Sequence, residues 1–145
     1  MRNQRGITLI ALVITIIVLL ILAGVSIAML TGDNGILTKS TQAQRETEMG
    51  EIADKINLAI NAEYANILAD NKLSGDAARI ASENGLNTAD YTITPGTVGA
   101  DGDTLIITIT DGGAYDEYYD NASNLTGKIE CDGAGNYTIT KAKVK

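Results

Sequence analysis

Residues 7–30 read ITLIALVITIIVLLILAGVSIAML, and this stretch decides the fold of the chain. Twenty of its 24 residues are apolar and none is charged. Roughly 20 such residues cross the hydrocarbon core of a bilayer, and this run would form a helix about 36 Å long. A buried helix of a soluble domain is seldom so long without a charge, so the pattern predicts a membrane-spanning helix.

The remainder of the 145-residue chain has the composition of a small acidic domain. Overall, 11 Lys and Arg oppose 18 Asp and Glu, a net charge of −7 that argues against nucleic-acid binding, which needs a basic face. There is no His and one Cys, which excludes a His-based triad, an internal disulfide and a multi-cysteine metal site. No nucleophile–base pair stands out, so we predict neither an enzyme nor a cofactor.

The charges that flank the apolar run predict its orientation. Arg2 and Arg5 precede it, and the first charge after it is Asp33. The positive-inside bias therefore places the N-terminus in the cytoplasm and the C-terminal domain outside. A secretory signal peptide has a shorter apolar region ending at a small-residue cleavage site, so we expect this longer segment to be retained.

The N-terminal sequence MRNQR-G-ITLIALVITIIVLL resembles the class III signal of type IV pilins and type II secretion pseudopilins, in its Gram-positive style. In that family a prepilin peptidase removes a short basic leader after its final Gly, on the cytoplasmic side, and the new N-terminus is often methylated. The resemblance implies a leader at residues 1–6, processing between Gly6 and Ile7, and a filament core built from the apolar helix. The residues it assigns to that core are Ile7, Leu9, Ile10, Leu12, Val13, Ile16, Ile17, Leu19, Leu20 and Leu22.

The sequence departs from the family pattern at two positions. The mature chain would begin with Ile7 instead of the usual Phe, and Ala11 occupies the position where the family has Glu. In family filaments that Glu meets the amino terminus of a neighbouring subunit, and an unpaired buried charge is costly. Ala11 implies that the Ile7 amine is neutral, hydrated or satisfied by Thr8 or backbone carbonyls, and it leaves open whether this is a major or a minor subunit.

A glycine-rich segment, residues 31–35, follows the apolar run. Glycine supplies backbone freedom, and two glycines around an Asp-Asn pair are typical of a helix break. In pilins the long first helix is commonly curved or melted partway, so we predict a hinge between residues 7–30 and 36–70. A plain turn at the membrane exit and a cap on the next helix by its Asn are the alternatives. The predicted hinge residues are Gly32, Asp33, Asn34 and Gly35.

A second helical pattern extends from Ile36 to about Ala69. Apolar residues recur there at three- and four-residue spacing, which is typical of an amphipathic helix. We expect this stripe to pack against a sheet and the polar remainder to face water or neighbouring subunits. The stripe consists of Met49, Ile52, Ala53, Ile56, Ile60, Tyr64, Ile67 and Leu68.

Residues 71–145 are predicted to form a globular antiparallel-sheet domain. Asn84-Gly85 ends a short helix, and Cys131 is expected to be a buried, small apolar residue. Together these patterns predict an α+β, pilin-like fold in which a long N-terminal helix packs on a small sheet of three or four strands. The predicted helix is Ala77–Glu83, and the predicted strands are Tyr91–Thr94, Thr104–Thr110, Gly127–Cys131 and Asn136–Lys143.

Two segments of this domain are candidate binding regions. The long loop 111–126 contains Tyr115, Tyr118 and Tyr119, which either bind a partner at the surface or pack against the sheet. Asp101 and Asp103 are weak calcium candidates, but the spaced acids of an EF-hand are absent. A solvated acidic surface is the preferred interpretation, and no metal is predicted.

These patterns favour a structural subunit of a type IV pilus-like filament. The expected partners are other copies of the chain, the cytoplasmic membrane before assembly, the prepilin peptidase and the assembly machinery, with no direct nucleic-acid contact. The precursor would lie in the cytoplasmic membrane and the product in a filament on the cell surface. The alternatives are a pseudopilin or minor pilin of a secretion or DNA-uptake machine, and a membrane-tethered surface binding domain.

Overall fold

The computed structural model describes residues 3–33, 35–70 and 75–144, with the side chains of residues 3–5, 70 and 103 outside the description. The chain divides into two compact units, Met1–Arg45 and Glu46–Lys145. Its elements in chain order are α1 (Asn3–Thr31), α2 (Ile36–Asp70), α3 (Ala77–Glu83), β1 (Tyr91–Pro95), β2 (Gly102–Ile109), the 3₁₀-helix η1 (Asp116–Asn121), β3 (Thr126–Cys131) and β4 (Tyr137–Thr140).

The four strands form one antiparallel sheet in the order β1-β2-β3-β4. Sequence neighbours pair directly, which is the common arrangement of consecutive strands. A long N-terminal helix followed by a small antiparallel sheet is the predicted α+β class, which is confirmed. The second compact unit contains residues 46–70 of α2 as well as the sheet.

Helix α2 buries one face against the sheet. Its buried residues follow the predicted three- and four-residue spacing, with Met49 and Tyr64 packed at the margin. Leu68 differs from the prediction, since it is 62% exposed. It lies about 100° around the helix from Ile67, which turns it away from the sheet. The buried residues are Ile52, Ala53, Ile56, Ala59, Ile60, Glu63 and Ile67.

The inner face of the sheet is filled by alternate residues of the strands. Leu105, Ile107 and Ile109 are fully buried on β2, as their alternation predicted, and Cys131 is buried on β3. A register shift between Asp103 and Leu105 interrupts this alternation on β2. Thr104 occupies the bulge and is also buried, so two successive residues of β2 face away from water.

Helix α3 has the predicted bounds and its own end signals. The Asp76 carboxylate accepts a hydrogen bond from the Ala78 backbone N–H, 2.9 Å away, at the N-terminus. At the other end Asn84 caps the helix, and Gly85 adopts a left-handed conformation with φ of 64°. The short helix thereby satisfies part of its own terminal backbone groups before the chain enters the sheet.

The last strand is shorter than predicted. The sequence pattern extended it to Lys143, but β4 ends at Thr140. The reason is a change of hydrogen-bond partner, because the Ala142 peptide group pairs with the Asn57 side chain of α2. The Lys143 N–H donates to the Asn124 carbonyl, 2.8 Å away, instead of continuing a strand ladder.

Gly127 marks the closest approach between α2 and the sheet. A Cβ atom placed on this residue of β3 would lie 2.7 Å from Ile56 Cγ2 and 2.7 Å from Ile60 Cγ1. Contacts that short are repulsive, and both atoms sit close to the backbone of a packed helix. Glycine at this position therefore sets the distance at which the helix rests on the sheet.

We predict that Gly127→Ala lowers the free energy of unfolding by about 1–3 kcal/mol, because the added methyl group overpacks the helix–sheet contact. Gly50→Ala is the matched control, since a Cβ there meets nothing within 4 Å. That change should stabilise α2 by about 0.5–1 kcal/mol through helix propensity. Urea unfolding of the full chain in detergent micelles measures both, and equal stability of the two variants would contradict the close approach.

Candidate functional site

Helix α1 presents an apolar surface on every side. All of its described side chains from Gly6 to Thr31 are exposed, and none of them is charged. By length and composition α1 is apolar enough to cross a membrane. An exposed apolar surface of this extent is unfavourable in water, and it requires a cover of lipid or other apolar helices.

Three hydroxyl groups of α1, those of Thr15, Ser26 and Thr31, are satisfied within the helix. Thr15 Oγ1 donates to the Leu12 carbonyl at 2.8 Å, and Ser26 Oγ donates to the Leu22 carbonyl at 2.8 Å. Thr31 Oγ1 donates to the Ile27 carbonyl at 2.9 Å. These bonds remove the cost of placing the three hydroxyls in an apolar environment, so the helix suits hydrocarbon surroundings despite its polar residues.

The predicted processing position lies near the start of α1. Gly6 is exposed with nothing within 4 Å of its missing Cβ, and Ile7 is also exposed. Ala11 is exposed on the next turn and offers no charge. The first acidic residue after Gly6 is Asp33, so α1 carries no carboxylate that could pair with an amine at Ile7.

The helix breaks where the sequence places its two glycines. The Gly32 carbonyl accepts bonds from the Gly35 N–H at 2.6 Å and from Thr38 Oγ1 at 3.2 Å. A Cβ on Gly35 would lie 2.6 Å from the Leu30 carbonyl oxygen, so this tight turn admits no side chain there. Of the other hinge residues, Asp33 is exposed, whereas Asn34 and its alternative role as a cap lie outside the described residues. Hinge motion at this break stays a prediction.

The tyrosine-rich loop between β2 and β3 is anchored to the domain. It contains η1, on which Tyr118 is buried and its hydroxyl donates to the Glu48 carboxylate on α2. Tyr115 is half-buried and packs edge-to-face on Tyr91, with ring centroids 5.4 Å apart. Of the three predicted surface tyrosines, Tyr119 alone is exposed, so it is the residue on which a surface-binding role depends.

Acidic side chains also hold this loop in place. Asp90 accepts from the Ala114 N–H at 3.0 Å, and Asp116 accepts from the Gly112 N–H at 2.8 Å. Among the described residues, no group of three His, Cys, Asp or Glu is arranged to hold a metal ion. Of the calcium candidates, Asp101 is exposed, and the Asp103 side chain lies outside the described part of the chain.

Sequence reasoning did not identify two polar residues that face the interior from α2. Glu63 is 1% exposed; its Oε1 accepts from Asn84 Nδ2 at 3.1 Å, and its Oε2 has no hydrogen-bond partner among the described atoms. Asn57 is half-buried and binds the Ala142 peptide group. A signal was available for Glu63, since it follows Ile56 by seven residues and therefore falls on the apolar stripe. For Asn57, the signal was an Asn in the interior of a helix, where that residue is disfavoured.

The N-terminus of the chain matches a known family. Residues 1–27 match the family described as "Prokaryotic N-terminal methylation motif". No curated protein and no solved structure matches the chain. The matched residues include the basic leader, Gly6, and most of the apolar run, so this region is a type IV pilin-like prepilin signal.

Together, the signal and α1 define what this end of the molecule does. A prepilin signal implies processing by a prepilin peptidase, and the apolar helix fits a membrane-anchored precursor. These features are those of a pilin-like or pseudopilin-like protein and point to a structural subunit in preference to an enzyme. The sheet domain follows this apolar helix in the chain.

We predict that Tyr118→Phe lowers the free energy of unfolding by about 1–2 kcal/mol, because the buried Tyr118 side chain loses the hydroxyl that donates to the Glu48 carboxylate. Tyr119→Phe is the control, since that ring is exposed, and it should change stability by less than about 0.5 kcal/mol. Urea titrations of both variants at pH 7 make the comparison. An equal effect of the two changes would show that the Glu48 contact does not anchor the loop.

We also predict that stability falls as the pH rises above about 10, partly because of Tyr91. Burial raises the pKa of Tyr91 well above its usual value, and the neighbouring Tyr115 and Asp90 add to this. The unfolded chain loses this proton near pH 10 while the folded chain keeps it, so the free energy of unfolding decreases from there upward. The free energy of unfolding of Tyr91→Phe should fall less steeply between pH 9 and 11 than that of the wild type. For Tyr119→Phe it should follow the wild type. Superimposable plots of the free energy of unfolding against pH for Tyr91→Phe and the wild type would contradict the role of Tyr91.

Proposed function

We propose that this protein is the structural subunit of a type IV pilus-like extracellular filament, assembled through α1. The observation that carries the proposal is an apolar helix that is uncharged and exposed from Gly6 to Thr31 and that begins in a prepilin signal. Within the compact unit Met1–Arg45, every described side chain of this helix from Gly6 to Thr31 is exposed. Such a surface is suited first to lipid and then to identical helices.

Transfer of α1 from lipid to a bundle of copies changes its apolar surroundings very little. Lipid tails and packed Ile, Leu and Val side chains are similarly apolar, so the hydrophobic term nearly cancels. Exposure to water on the way would be opposed by about 25 cal/mol for each Å² of apolar surface. Assembly must therefore move the helix directly from membrane to filament, and no charge between Gly6 and Gly32 impedes that step.

The sheet domain would be displayed on the outside of this filament. Arg2 and Arg5 precede the uncharged run of residues 7–30, so the precursor would have its N-terminus in the cytoplasm and its domain beyond the membrane. Prepilin peptidase, the assembly machinery and other copies of the chain are the proposed partners. The displayed domain is strongly acidic, which disfavours direct contact with nucleic acid.

A second candidate is a pseudopilin or minor pilin of a secretion or DNA-uptake machine. Ala11 favours it, because a bundle of many identical copies would hold amines at Ile7 without a carboxylate on the same helix. A subunit present in few copies would bury only a few such unpaired amines, so the total energetic cost would be small. A membrane-tethered binding domain is the third candidate, and it depends on the exposed Tyr119 ring.

We predict that co-expression with a prepilin peptidase removes residues 1–6 and leaves Ile7 as the first residue. Gly6→Val should block the cut, because the bulky side chain occupies the position before the scissile bond. Gly24→Val is the matched control, since that glycine also lies on α1 in open space, and it should be cut normally. Intact-mass measurement and N-terminal peptide sequencing give the readout, and an uncut wild type would exclude all pilin-like functions.

The fate of the processed chain separates the candidates. Electron microscopy and mass spectrometry of sheared surface filaments should find this polypeptide as the main component. Filaments that persist after deletion of the gene while secretion or DNA uptake is lost would favour the pseudopilin instead. A processed chain that stays in the membrane fraction as a monomer would support the tethered binding domain.

A further inference from the structure

The C-terminal residues 141–144, called here the C-terminal strap, run from the end of β4 across to α2. The Asn57 side chain forms hydrogen bonds with both the carbonyl and the N–H of Ala142. Its Nδ2 donates to the Ala142 carbonyl at 3.0 Å, and the Ala142 N–H donates to its Oδ1 at 2.8 Å. The Lys143 N–H donates to the Asn124 carbonyl at 2.8 Å. Three elements are thereby joined: α2, β4 and the turn after η1.

The chemistry of this contact requires the residue that is present. A carboxamide offers one acceptor and two donors, so it can mimic the edge of a neighbouring strand, and no aliphatic or carboxylate side chain can do this. Asn is disfavoured inside helices, which indicates that position 57 serves the tertiary contact and not the helix. Ala142 is buried between the exposed Lys141 and Lys143, so a small residue lies where the strap meets the helix.

We propose that the C-terminal strap is a releasable latch that fastens α2 to the last strand of the sheet through Asn57. Only Ala142 is buried among the strap residues, and Val144 is 38% exposed, so hydrogen bonds dominate its attachment. A segment held by few bonds and little apolar area opens locally before the domain unfolds. When the latch is closed, residues 141–144 connect α2 to the sheet. When it is open, these residues are released from α2 while the core stays folded. This device is separate from filament assembly and does not depend on it.

Trypsin provides a direct test on the full chain in detergent micelles. Cleavage after Lys141 needs the strap to be extended and away from α2, so its rate reports latch opening. The measured quantity is loss of residues 142–145 by intact mass, relative to cleavage after Lys128, which lies in β3 and reports unfolding of the sheet. Cleavage after Lys141 should be much faster than cleavage after Lys128 in every folded variant.

Asn57→Ala should increase the rate of cleavage after Lys141 about tenfold, because both bonds to the Ala142 peptide are lost. Asn57→Asp should also increase it, since a carboxylate cannot donate to the Ala142 carbonyl. Asn61→Ala is the control, as an exposed Asn on the same helix, and should leave the rate unchanged. An equal rate for Asn57→Ala and Asn61→Ala would overturn the proposal, and so would a parallel rise in cleavage after Lys128, because the strap would then open only with the whole domain.

Discussion

The structure depends on one steric constraint, the seating of α2 on the sheet at Gly127. Because Gly127 has no side chain, Ile56 and Ile60 can pack directly against the backbone of β3. This contact fixes the distance between α2 and the sheet, at which the other core residues of α2 are buried. Glu48, Asn57 and Glu63 contact the tyrosine loop, the C-terminal strap and the end of α3 from three different turns of the same helix.

The apolar residues of this chain serve two different purposes. The core residues of the second compact unit are buried internally, since the inner faces of α2 and the sheet cover one another. The apolar residues of α1 have no such partner within the first unit, although they make up the densest apolar stretch of the sequence. A high overall hydrophobic content therefore does not measure the size of a core here. It combines a small saturated core with a surface that needs lipid or other copies.

The sequence predicts most of the fold because its signals are local. The uncharged run, the two glycines at the break, the spacing of Ile52, Ile56 and Ile60, and the alternation of β2 each depend on near neighbours alone. What it misses depends on distant partners. β4 stops at Thr140 because Asn57, more than 80 residues earlier, takes over the Ala142 peptide. Packing of the loop tyrosines was one of the two sequence-based alternatives, but nothing local singled out Tyr118, because its partner Glu48 lies 70 residues away. At the candidate site, the prepilin signal could be identified from its residues, whereas the residue that anchors the tyrosine loop could not.

The charge distribution assigns attraction and repulsion to different parts of the molecule. Residues 46–145 hold 17 acidic and 7 basic side chains, a formal charge of −10, whereas residues 6–31 hold none. Copies of the acidic unit repel one another at distances up to about 8–10 Å in physiological salt, which opposes random clustering. Residues 6–31 take no part in that repulsion because they carry no charge, and in lipid such a helix associates with other helices through van der Waals packing. In the proposed filament, association through α1 is therefore favoured over association through the acidic domain surfaces.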